Sequence, residues 1–122
     1  MSSEVLHVAR EKLKPHTLHL HYAIASLMEE LEAVDWYRQR ADDTENQDLR
    51  AVLLHNAKEE MEHASMLIEW IRRHEPLFDA QLREYLFTDK PIVEVEHEAM
   101  DRGSPIKTAE PEPTARDSTI RK

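Results

Sequence analysis

The run Glu59-Glu60-Met61-Glu62-His63 holds the residues best suited to chemistry in this 122-residue chain. Glu60 and His63 stand three positions apart, so on a helix they rise about 4.5 Å along one face and can converge on one ion. Read as a helix, the surrounding residues put Leu49, Leu53, Asn56, Glu60, His63, Leu67 and Trp70 on one stripe. Both ends of the stripe are apolar, as a packing seam requires. Its middle carries an amide, a carboxylate and an imidazole, and taking ionised groups out of water is costly unless a partner or a metal compensates. The seam therefore asks either for a metal or for a structural Glu60–His63 hydrogen bond.

The elements that must position these groups read as helices. Pro15 suits a first helical turn, where its missing N–H costs nothing. From there to about Arg40 an apolar repeat runs through Thr17, Leu20, Ile24, Leu27, Leu31 and Val34, with Ala23, Glu30 and Tyr37 beside it. Ala41 to Gln47 is polar and reads as a turn between antiparallel helices. The second helix spans about Asp48 to His74 and is broken by Glu75-Pro76; Leu77, Phe78, Leu82, Tyr85 and Leu86 then suggest a short third helix. Met1 to Leu13 could form a leading helix capped by Ser3. Beyond Glu98 the composition turns to Pro, Ser, Thr and charge, which suits a disordered tail. The expected division is an N-terminal segment over 1–14, a helical hairpin with its short third helix over 15–92, and a flexible tail over 93–122.

Composition narrows the function. Gly occurs once and no alternating strand pattern appears, so the fold class is all-α. The net charge of -9 argues against nucleic acid, which rewards basic patches. With no cysteine, disulfides, thiolate zinc sites and iron–sulfur ligation are excluded. No signal peptide or membrane span is evident, so a cytoplasmic location is expected. Two long helices and a short one cannot bury both faces of their seams, which points to oligomerisation.

Four-helix carboxylate centres take a Glu from each of two helices and a Glu-x-x-His from each of two more. This chain holds half of that set: Glu30 on the first helix, Glu60-x-x-His63 on the second. A two-fold axis pairing two hairpins would complete it, and two divalent ions would offset its four negative charges. Carboxylates with imidazole suit Fe²⁺ or Mn²⁺, with Zn²⁺ as a substitute.

The block Met28-Glu29-Glu30-Leu31-Glu32-Ala33-Val34-Asp35-Trp36-Tyr37, then His55-Asn56, Glu59-Glu60, Glu62-His63-Ala64, Glu69-Trp70 and Tyr85-Leu86-Phe87-Thr88, resembles the encapsulated ferritins. The resemblance runs from about His16 to Ile92. It implies a two-helix hairpin that dimerises into a ferritin-like four-helix bundle with a di-iron ferroxidase centre between chains. It further implies a ring of dimers, a homodecamer, held inside an encapsulin shell that stores the oxidised iron. By position, the ferroxidase ligands fall on Glu30, Glu60 and His63, and a secondary metal site falls on Glu29 and Glu32. Trp36, Tyr37, Asn56 and Glu59 are expected to surround these ligands. The tail departs from the family, because Ser118-Thr119-Ile120-Arg121-Lys122 lacks the Gly and the apolar pair of a usual targeting peptide.

Three function classes follow. The first is a ferroxidase acting on Fe(II) and dioxygen, and the second another di-iron or di-manganese oxidase or peroxidase. The third is a non-catalytic assembly module whose polar seam specifies pairing. Glu-x-x-His in register with Glu30 favours the first, since pairing specificity alone needs one polar residue.

Overall fold

A computed structural model describes residues 5–103, and these residues form helices and no strands. Helix α1 spans Pro15–Asp43, α2 Gln47–His74, α3 Pro76–Tyr85 and α4 Ile92–Asp101. The long pair lies antiparallel across a turn of only three residues, 44–46, and is the principal packing contact.

Local chemistry explains most boundaries. Pro15 opens α1 as expected. Asn46 caps α2 by accepting from the Leu49 N–H at 2.9 Å, and Arg72, Arg73 and His74 complement the dipole at its other end. Glu75 leaves the helical conformation and its side chain accepts from the Leu77 N–H at 3.1 Å, starting α3 at Pro76.

Three boundaries differ from the sequence expectation. Helix α1 runs to Asp43, beyond Arg40, because the Arg50 guanidinium satisfies its closing backbone. The Nε of Arg50 donates to the Ala41 carbonyl at 2.8 Å, and its Nη2 donates to the Thr44 carbonyl. The leading segment contains only a 3-10 turn at Arg10–Lys12, while Ser3 lies outside the described residues. Helix α4 was not expected at all, since the chain from residue 93 read as flexible. It forms because Val95 and Ala99, one turn apart, are both buried, while Lys90 and Arg102 bridge to Glu98 and Glu84 at 2.7 and 2.5 Å. The tail sequence from 104 onward, including Ser118 to Lys122, lies outside the described residues.

Small residues dominate the interior. Ala23, Ala41, Ala57 and Ala64 are buried together with Ile71, which lets the two long helices approach closely. No large side chain among the described residues is completely sealed from solvent, and Ile24, Met28, Leu31, Leu54, Met61 and Ile68 all stay exposed. A chain that leaves so much apolar surface in water has a core too thin for its length. Between α3 and α4, Phe87 takes a positive φ of 63° and is fully exposed.

Candidate metal centre

The antiparallel register brings Glu30 of α1 opposite Glu60 of α2, with His63 one turn further on. His63 Nδ1 lies 2.9 Å from Glu60 Oε1 and 3.8 Å from Glu30 Oε2. One donor atom from each of the three falls within 4.8 Å of the others, the only such group of three or more acids and imidazoles among the described residues. The two carboxylates are about a quarter exposed and the imidazole 42% exposed, so the cluster lies on an open flank of the hairpin.

Electrostatics at the cluster are those of negative charges short of a cation. The hydrogen bond between Glu30 and Glu60 raises Glu30 above its ordinary 4.5; partial burial and the Glu60 charge add to this, and His63 opposes it. That same bond, then the one to His63, lowers Glu60. A hydrogen bond between two carboxyl groups needs a proton, and these opposite directions place it on Glu30 whenever the pair carries one. His63 is raised above 6.5, chiefly by its bond to Glu60; desolvation opposes this, while the charges of Glu30, Glu60 and Glu59 assist.

The remaining sequence-derived residues are placed as follows. Glu29 and Glu32 are exposed and join no three-ligand group. Trp36 is exposed and Tyr37 half-buried, with the Arg40 guanidinium 5.6 and 5.9 Å from their ring centres. Sequence reasoning missed Arg40, although an Arg three and four residues after two aromatics is the spacing that permits this stacking. Asn56 and Glu59 are half-buried on α2. Trp70 stacks on buried His74 at 4.0 Å, with His74 Nδ1 donating to the Trp70 carbonyl at 2.7 Å. His55 is exposed, and His19 and His21 lie about the Tyr22 ring at 6.1 and 6.0 Å.

The donor set fits a first-row divalent metal such as iron. It offers carboxylate oxygens with one imidazole nitrogen, which suit Fe²⁺ and Mn²⁺, and lacks the thiolates that select softer ions. The hydrogen bonds that join the three groups use the same donor atoms that a divalent ion would take.

A helical hairpin with two facing carboxylates and an imidazole carries the residue types that one half of a four-helix carboxylate centre requires. The chain belongs to the EncFtn-like family, whose profile matches residues 5–89. It is 50% identical over 95 residues to the encapsulated ferritin-like protein of Rhodospirillum rubrum, covering 78% of this chain and 68% of that one. To the ferritin-like protein of Thermotoga maritima it is 58% identical over 76 residues, covering 62% and 67%. The encapsulin nanocompartment cargo protein EncC of Myxococcus xanthus is 36% identical over 73 residues, covering 59% and 56%. The fold superposes on the crystal structure of protein ne0167 from Nitrosomonas europaea with a TM-score of 0.70 at 52% identity, covering 71% of this chain and 96% of that one. No helix among the described residues is long and apolar enough to cross a membrane.

Proposed function

We propose that the protein is a ferroxidase whose di-iron centre is completed between two chains. The observation that carries this reading is the convergence of Glu30, Glu60 and His63 within 4.8 Å on an open flank. One chain supplies two carboxylates and one imidazole, half of the set that holds two metal ions in four-helix carboxylate proteins. A second copy related by a two-fold axis supplies the other half and covers exposed apolar surface. Iron is the substrate: each Fe(II) gives one electron to dioxygen and leaves as Fe(III).

The residues' own work is binding and proton handling. Glu30, Glu60 and His63 would exchange their mutual hydrogen bonds for ferrous ions, each ligating in its deprotonated form. Glu29 and Glu32, on the exposed flank of α1, gather hydrated cations for delivery to Glu30. Membership of the EncFtn-like family supports this activity. The similarity to an encapsulated ferritin-like protein and to an encapsulin nanocompartment cargo protein supports an encapsulin shell as partner. That shell would be the store for oxidised iron, within a cytoplasmic nanocompartment, and a ring of dimers would be its cargo.

The test joins assembly to chemistry. Sedimentation under anaerobic Fe²⁺ should show the oligomer growing at the monomer's expense, because a ligand specific to the assembled form stabilises it. Admitting air should then give rapid Fe(III) absorbance. An isolated monomer that binds iron stoichiometrically and oxidises it at the full rate would defeat the inter-chain centre. An assembled protein that fills with iron yet leaves it ferrous in air would defeat the ferroxidase assignment.

A further inference from the structure

Asn56 stands on α2 one turn before Glu60, on the same face as the cluster, and is half-buried. Among the described residues its carboxamide has no hydrogen-bond partner. The site's other polar side chains are engaged: Glu30 and Glu60 with each other, and His63 with Glu60. In the single chain solvent reaches this amide; closure of the seam by a second copy would take it out of water and make a missing partner costly.

Geometry supplies an acceptor one turn away. Side chains at i and i+4 on a helix are neighbours, and an amide at the first position can reach a carboxylate at the second. In the metal-free chain the Glu60 carboxylate is drawn towards Glu30 and His63. A carboxylate that ligates a metal keeps further lone pairs on its two oxygens, so Glu60 can accept an N–H from its neighbour while it serves as a ligand.

We propose that Asn56 is a positioning residue for the iron site, its N–H donating to Glu60 once Glu60 becomes a metal ligand. The inference rests on the metal reading of the site given above. The chemistry suits the place: a carboxamide donates without adding charge, so four carboxylates still balance two divalent ions. A lysine there would compete with the metal, and an aspartate would repel Glu60.

The test uses the full chain and anaerobic titration with Co²⁺, whose binding is read from its visible absorption without turnover. Asn56→Leu keeps the side chain's bulk and removes the donor. It should assemble as well as the parent chain but bind Co²⁺ about 10- to 100-fold more weakly, the usual cost of losing a group that orients a metal ligand. Asn56→Asp should weaken binding further, and Asn56→Gln, which keeps the donor, should retain most of it. Unchanged Co²⁺ affinity in Asn56→Leu, with the parent chain binding normally, overturns the proposal and leaves the metal reading intact. A change of oligomer order with affinity unchanged also overturns it, and assigns Asn56 to seam register instead. Absence of Co²⁺ and Fe²⁺ binding in the assembled parent chain overturns both readings together.

Discussion

At the junction of α2 and α3, Glu69 and Asp79 each face arginine, whereas further back along α2 Glu60 faces another carboxylate. Arg72 reaches Glu69 at 2.7 Å and Asp79 at 2.5 Å, Arg73 reaches Glu69 at 2.6 Å, and Arg83 reaches Asp79 at 3.0 Å. Hydrogen bonds from Arg72 and then Arg73 hold Glu69 down to about 2, and Arg72 and Arg83 lower Asp79. At the cluster no guanidinium plays this part, and Glu30 moves the opposite way. Acids matched to fixed cations fasten one helix to another; acids facing each other leave a place for a cation from solution. The difference separates a structural carboxylate from a candidate ligand better than acidity or exposure does.

The largest expected effect removes a ligand. Glu60→Ala and His63→Ala should each slow Fe²⁺ oxidation by about 100-fold or more, above the usual range for an outer partner, while the helical signal in circular dichroism persists. In the metal-free protein Glu60→Ala should be tolerated, because it removes one of two facing carboxylates, whereas His63→Ala should weaken the seam by leaving both without their imidazole. Parent-like oxidation in either variant would remove the cluster from the functional side of the comparison.

Arg72→Ala strikes the other region. It should lower the thermal midpoint by a few degrees and loosen α3, with iron binding unchanged. Equal losses of stability and of metal affinity would show that the two regions are not separable.

Titration sharpens the contrast by sign. Glu69 has a depressed folded value, so its contribution is complete above its ordinary 4.5 and is lost as pH falls through about 2. Glu30 has a raised folded value, so its contribution is complete below 4.5 and is lost as pH rises through that value. Glu30→Gln, which mimics the protonated acid, should therefore raise the metal-free thermal midpoint at neutral pH and abolish the rise that iron gives the parent chain. A metal-free midpoint at pH 7 below that of the parent would contradict the shared proton.

The smallest effect belongs to the exposed pair. Glu29→Ala with Glu32→Ala should change how the initial oxidation rate depends on Fe²⁺ concentration while the inner ligands still fill. An unchanged rate curve would make them ordinary solvated charges, and loss of all bound metal would put them at the centre itself.

The cluster was legible in the sequence because helical register is arithmetic. Glu60 and His63 share a face at any depth of burial, and the polar stretch after Arg40 fixed which part of α1 must lie opposite. Two kinds of feature were not legible. Helix α4 has a short apolar stripe, Ile92, Val95 and Ala99, and it ends where the composition turns polar, so the tail masked it. The extra turn of α1 depends on Arg50, which donates to the Ala41 and Thr44 carbonyls and to the Gln47 side chain and leaves no periodic mark. Arginine contacts set both the arginine-rich junction and the approach of Arg40 to the Trp36 and Tyr37 rings, and arginine side chains are long enough to choose among several partners.

The three-residue turn at 44–46 has a consequence for mixed populations of chains. In this fold the turn keeps Glu30 and Glu60 facing one another within one molecule, so each half of a centre is made by a single chain. Under the proposed pairing, intact centres decline with the square of the fraction of sound chains, and a minority of faulty copies silences more sites than its own number.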